Sequence, residues 1–306
     1  MTYGSSGGDR LNKNERREAA REKAKTLRDQ QRKKEKRSRL ILQGSLILVV
    51  VAFAAGISLI LMNSVRPPAP GPRNMLSDGI LISEGFTAKS TPALQPGNDP
   101  VPNERDEEAD VISIQIFVDY LCPVCRAFEE ANQEQIAAWI ESDGATIEIF
   151  PHAILDRYSQ GTKYSTRAAN AAACVADFSP NQFYAFNSIL FENQPDEGSS
   201  GLTDNELVDL TEQVEVEKAS AVAACITDQT FAGWVADARD RNQLGPIPNS
   251  NVTSVTGTPT VIVNGLQYTG ALNDSSAFAA FVVQAANASF NESSSATPTP
   301  TPVPAP

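Results

Sequence analysis

Two cysteines two residues apart, Cys122 and Cys125, are the residues best suited to chemistry in this 306-residue chain. They close the run Ile112 to Arg126, in which an apolar, β-branched stretch of strand length breaks at Asp119-Tyr120-Leu121 and delivers Cys122-Pro123-Val124-Cys125 onto a helical pattern. The helix, over Phe128 to Ile140, keeps its large apolar residues on one face. Cys122 then falls at a helix N-terminus, where unpaired backbone N–H groups and the positive end of the dipole favour thiolate over thiol. Pro123 suits the first helical turn, which does not need its missing N–H. Cys125, one turn further in and less accessible, can attack a mixed disulfide formed at Cys122. The competing use of such a pair is half a zinc site, which needs a second ligand pair at short spacing. Only Cys174, Cys225 and the single histidine, His152, remain, and they are far apart. The pattern therefore points to dithiol redox chemistry, with no metal and no cofactor called for.

The elements that position this pair are preceded by an uneven distribution of charge. Residues 1–39 carry 14 Lys+Arg and 6 Asp+Glu, whereas residues 40–306 carry 11 and 31. Between them lie 23 uncharged residues, Leu40 to Met62, which as a helix span about 35 Å and are long enough for a bilayer. A cleaved signal normally has a shorter apolar core and a shorter basic flank, so the stretch reads as one transmembrane helix with residues 1–39 cytoplasmic and everything after Met62 outside. The basic segment reads as a solvated helix or a disordered arm; lipid adhesion through Arg32 to Arg39 is its functional alternative, and nucleic-acid binding is disfavoured.

Arg66 to Arg73 is Pro-rich and reads as a stiff spacer, assigned to residues 63–74, holding an outer domain of residues 75–290 off the membrane. Residues 291–306 are Ser/Thr/Pro low complexity and read as a disordered tail. Within the domain the pattern predicts short strands at Gly79 to Glu84 and Ala145 to Phe150. A helical block follows over about 166–241, with Thr203-Asp204-Asn205-Glu206 as a capping box. Next come the strand Thr260 to Val263, an Asn264-Gly265 hairpin turn, a return strand Gln267 to Thr269, and a closing helix carrying Phe278, Phe281, Val282 and Ala285. This is an α/β domain whose sheet is interrupted by helices.

Phe117 to Cys125, then Ala168-Ala169-Asn170-Ala171-Ala172, then Gly257-Thr258-Pro259-Thr260 with Val261 to Gly265, together resemble the membrane-anchored, DsbA-like oxidoreductases of the actinobacterial cell envelope. The resemblance covers about residues 75–290 and implies a thioredoxin-like fold with an inserted helical subdomain. It implies Cys122 as nucleophile, Cys125 as resolving cysteine, and Pro259 as a cis-proline against the dithiol, turning backbone groups of Thr258 toward an extended substrate. It implies oxidation of exported, unfolded or reduced polypeptides, with re-oxidation by a quinone-linked membrane enzyme of the vitamin K epoxide reductase or DsbB type. A reductase or isomerase of the same fold, or a non-catalytic tethered binding module, are the alternatives.

Two departures from the resemblance matter. Val124 stands where strongly oxidising relatives carry His, so the Cys122 thiolate is expected to be less stabilised than theirs. No acidic residue interrupts the alternation of Ile112, Ile114 and Ile116 to accept a proton. Asp119 either orients the turn or faces water, and His152 at a strand end reads as a satisfied structural residue. Cys174 and Cys225 each lie on an apolar helical face, which suits two buried free thiols, but outside the cytoplasm an even cysteine count favours pairing, and 174–225 is the pairing that leaves the Cys-x-x-Cys free to work.

Overall fold

The computed structural model describes residues 18, 21–28, 31–34, 69–105 and 111–295. Residues 21–28 and 31–34 are helical. Leu40 to Met62, the expected membrane helix, lies outside the described residues, as does the tail beyond Ser295. Among the described residues no helix is long and apolar enough to cross a membrane.

The folded domain is built on a six-stranded sheet in the order β2-β1-β4-β3-β5-β6. The strands are β1 (Ile80–Ser83), β2 (Thr87–Ala88), β3 (Ile112–Val118), β4 (Ala145–Pro151), β5 (Thr260–Val263) and β6 (Leu266–Gln267). β3 pairs parallel with β4 from Ile112↔Ala145 to Val118↔Pro151, and antiparallel with β5 from Ile114↔Val263 to Phe117↔Thr260. A strand paired on both edges and covered on both faces is apolar nearly throughout. Ile114, Ile116 and Val118 enter the main core on one face, and Phe117 stacks on Phe150 at 4.3 Å in a second cluster on the other. Helix α1 (Pro123–Glu141) joins β3 to β4 and packs on the main-core face, where Phe128 meets Phe278 edge to face at 5.2 Å. The turn between β5 and β6 uses Asn264 (φ 47°) and Gly265 (φ 82°), the left-handed pair that a two-residue hairpin requires. The return strand, expected over Gln267 to Thr269, is instead the two residues Leu266–Gln267.

Five helices separate β4 from β5: α2 (Tyr164–Phe178), α3 (Phe183–Glu192), α4 (Asp204–Gln213), α5 (Ala219–Thr227) and α6 (Ala232–Leu244). α2 is the buried centre of this block, and its alanines, Ala168, Ala169, Ala171, Ala172, Ala173 and Ala176, let neighbouring helices approach closely. Thr203 opens α4 with both halves of the capping box in place. The Cys174–Cys225 disulfide joins α2 to α5.

Two boundaries differ from the sequence reading. The last residues of the expected spacer dock on the domain. Arg73 makes a bidentate pair with Asp177 (3.0 and 2.8 Å), Asn74 donates to the Ala176 carbonyl at 2.8 Å, and Gly71 lies so close to Trp234 that a β-carbon would sit 2.6 Å from its ring. Pro-rich composition signals extension, but extension is compatible with lying along a surface. The closing helix, α7 (Ser275–Ser295), continues past residue 290.

Candidate active site

The end of β3 and the start of α1 place the two cysteines. Cys122 is the N-cap residue of α1, with extended backbone (φ −78°, ψ 114°), and Pro123 is the first helical residue. No side chain caps the helix, so the N–H groups of Val124 and Cys125 are left facing the Cys122 sulfur. Cys122 is 6% exposed and Cys125 is 1% exposed, and both are free cysteines. Val124 between them is 48% exposed, an apolar side chain presented outward. The Thr258–Pro259 bond is cis, and the Cys122 thiol donates to the Thr258 carbonyl at 3.3 Å. Residues 136 apart in sequence thus meet because β5 pairs beside β3.

This geometry tunes the two thiols in opposite directions. The Cys122 pKa is lowered to about 6, first by the hydrogen bond from Cys125, against burial, and then by the Thr258 side chain and the N–H groups of Cys125 and Val124. Cys125 is pushed well up, first by burial and then by the neighbouring Cys122. The arrangement favours ionisation at Cys122 and keeps the proton on Cys125 behind it.

Asp119 is not the water-facing turn residue that the sequence left open. It is 1% exposed and collects four donors: Leu121 N–H (2.9 Å) and the Ser165 hydroxyl (2.7 Å) on Oδ1, and Ile154 and Leu155 N–H (2.7 and 2.9 Å) on Oδ2. One carboxylate thereby binds together the turn before Cys122, the segment after β4, and the start of α2. Burial, its largest influence, raises its pKa against the pull of these donors.

His152 departs from expectation. It is fully buried with both ring nitrogens lacking a hydrogen-bond partner among the described residues, and burial first, then Arg239, lowers its pKa to about 4. It is a neutral ring packed edge-on to Phe117 at 6.2 Å.

Three polar residues beside the site carried no clear sequence signal. Glu129, one helical turn beyond Cys125, is buried and accepts from Asn187 (3.1 Å) and Ser188 (3.2 Å); burial pushes its pKa to about 7. Asn187 also accepts from the hydroxyl of Tyr120 at 3.1 Å, tying the active-site turn to α3. Gln194, after α3, donates to the Cys122 carbonyl at 3.0 Å. Only Glu129 was open to inference, since it falls on the helical face of Cys125, Phe128 and Asn132. Among the described residues no group of three or more His, Cys, Asp or Glu is placed to hold a metal ion.

A β-α-β unit with a dithiol at the helix start, closed by a cis-proline strand, defines a thioredoxin-like protein. A thioredoxin family model matches residues 106–282, and the chain belongs to that family. Solved structures similar to it include the reduced disulfide bond oxidoreductase DsbG of Mycobacterium tuberculosis, at 24% identity and a TM-score of 0.50, covering 72% of this chain and 95% of that one. BdbD of Bacillus subtilis, oxidised, is similar at 19% identity and 0.51, covering 72% and 100%. MdbA, a thiol-disulfide oxidoreductase from Corynebacterium diphtheriae, is similar at 18% and 0.48, covering 72% and 95%. No curated protein gives a significant match.

Proposed function

We propose that the protein is an extracytoplasmic thiol–disulfide oxidoreductase that introduces disulfides into exported, reduced polypeptides. The observation that carries this reading is the seating of Cys122 at the start of α1 against the Thr258 carbonyl, with Cys125 sealed behind it. In the oxidised form a substrate thiolate attacks the Cys122 sulfur and breaks the Cys122–Cys125 bond; Cys125 leaves and takes up a proton. The second substrate thiolate then attacks the substrate sulfur of the mixed disulfide, and Cys122 departs as a thiolate. A leaving group with a pKa near 6 departs readily. The substrate has lost two electrons and the dithiol has gained them. They pass on to a quinone-linked membrane enzyme, of the vitamin K epoxide reductase or DsbB type, which restores the disulfide.

Pro259 and Thr258 offer an extended peptide a backbone edge beside Cys122, with Val124 as an apolar contact. Leu40 to Met62 anchors the chain with residues 1–39 in the cytoplasm, supported by the split between a basic N-terminal segment and an acidic remainder. External protease on spheroplasts should release the outer domain as a soluble fragment, and complete protection would reverse the orientation.

The deciding experiment is Cys125→Ala in intact cells, which removes the resolving thiol and should accumulate mixed disulfides between Cys122 and exported proteins. If no mixed disulfides form and the wild-type pair never changes redox state in cells, the protein is a binding module. A reduction potential near the thioredoxin value of about −270 mV would make it a reductase.

A further inference from the structure

The carbonyl oxygen of Cys122 carries two hydrogen bonds. The Arg126 N–H, one turn along α1, donates at 3.2 Å, and Nε2 of Gln194 donates at 3.0 Å from the segment after α3. The Arg126 guanidinium donates in turn to the main-chain oxygen of Gln194. Three bonds therefore close a ring through Cys122, Arg126 and Gln194, joining the reactive cap of α1 to the helical insert.

Gln194 is 7% exposed, and its Oε1 is buried with no hydrogen-bond partner among the described residues. A buried acceptor left without a donor is costly, and an apolar side chain of the same length would avoid that cost. Turning the amide over would set its oxygen against the Cys122 oxygen, so the bond to Cys122 fixes which end points where. The polar end of Gln194 is thus retained for one bond, made to the residue whose sulfur reacts.

We propose that Gln194 is a positioning residue for Cys122, through which the helical insert sets thiolate stability and holds the cap still during exchange. The Cys122 carbonyl presents negative charge close to its own sulfur and disfavours the thiolate; a second donor on that oxygen draws the charge away. The same bond pins the main chain, so that the sulfur changes partners by side-chain rotation without fraying the first turn of α1. The inference rests on the reading of Cys122 as the nucleophile.

The test uses the full-length reduced chain and follows thiolate absorbance and iodoacetamide labelling against pH. Gln194→Leu keeps the bulk and removes the donor. Its Cys122 midpoint should rise by roughly half a pH unit to one unit, leaving about twofold to fivefold fewer thiolates at pH 6. Gln194→Glu, which sets a carboxylate against the carbonyl, should rise further. Gln194→Met provides a second, flexible apolar replacement. A folded Leu or Met variant that titrates like wild type would overturn the proposal, and so would the unfolding of both, which would make Gln194 a structural residue. First labelling at Cys125 in the wild type would instead overturn the underlying reading of the site.

Discussion

The Cys122 pKa of about 6, against an ordinary value of 9.0, gives a quantitative prediction for the reduced protein. At pH 7 about nine-tenths of Cys122 is thiolate, compared with about one part in a hundred for an ordinary thiol, a ratio of about 90. A less basic thiolate is a weaker nucleophile, and with a Brønsted slope of about 0.4–0.5 three units of pKa reduce its intrinsic rate about 20-fold. Iodoacetamide should therefore label Cys122 only about fourfold to fivefold faster than an unstructured cysteine at pH 7, but about 25-fold faster at pH 6. The growing advantage toward low pH is the signature, and mass spectrometry of quenched samples at pH 5 to 9 measures it site by site. Because folding lowers this pKa, the thiolate stabilises the reduced fold fully above pH 9, and that contribution is lost as the pH falls through about 6. The urea midpoint of the reduced protein should thus approach or exceed that of the oxidised form as the pH rises across this window. Half-labelling at pH 8 or above, or first labelling at Cys125, would refute the argument.

Three further predictions follow from other parts of the molecule. Replacing Cys174 and Cys225 together by Ala opens a loop of 51 residues and should cost about 4 kcal/mol in the chain-entropy model, read from urea unfolding; a loss under about 1 kcal/mol would contradict a structural role. Asp119→Asn leaves an amide donor facing other donors and should destabilise by roughly 2–4 kcal/mol, with faster hydrogen exchange at Ile154 and Leu155; unchanged exchange there would show that the carboxylate does not hold that segment. Val124→His should lower the Cys122 pKa and raise the reduction potential together, each 30 mV corresponding to about 1.4 kcal/mol, and a potential that stays put while the pKa falls would break that link.

Local pattern carried the elements that make the site. The run from Ile112 to Val118, the proline after Cys122, the Thr203–Glu206 box and the Asn264–Gly265 turn each satisfy a short-range physical demand that sequence displays directly. What was not legible depends on distant chain. Glu148 alternates as if it faced water, yet it is buried because Ser77 and Asn103 of the N-terminal segment cover it and donate to it, with Gln115 beside it on β3. Asp119 could be a surface turn until Ile154, Leu155 and Ser165 supply donors from two other segments. Gln194 gives no sign of its bond to Cys122, 72 residues away. Periodicity reports which face is buried, not which remote polar group arrives to meet it.

The position of the helical block between β4 and β5 also bears on the order in which the protein is made. β3, α1 and β4 leave the ribosome long before β5, so the central strand must wait with one edge unpaired and with Cys122 lacking its Thr258 cover. The insert, by contrast, is contiguous from Tyr164 to Leu244 and can collapse on α2 and join Cys174 to Cys225 from its own residues alone. Cys122 therefore gains its Thr258 cover only when β5 arrives, after the insert has all the residues it needs to join Cys174 to Cys225.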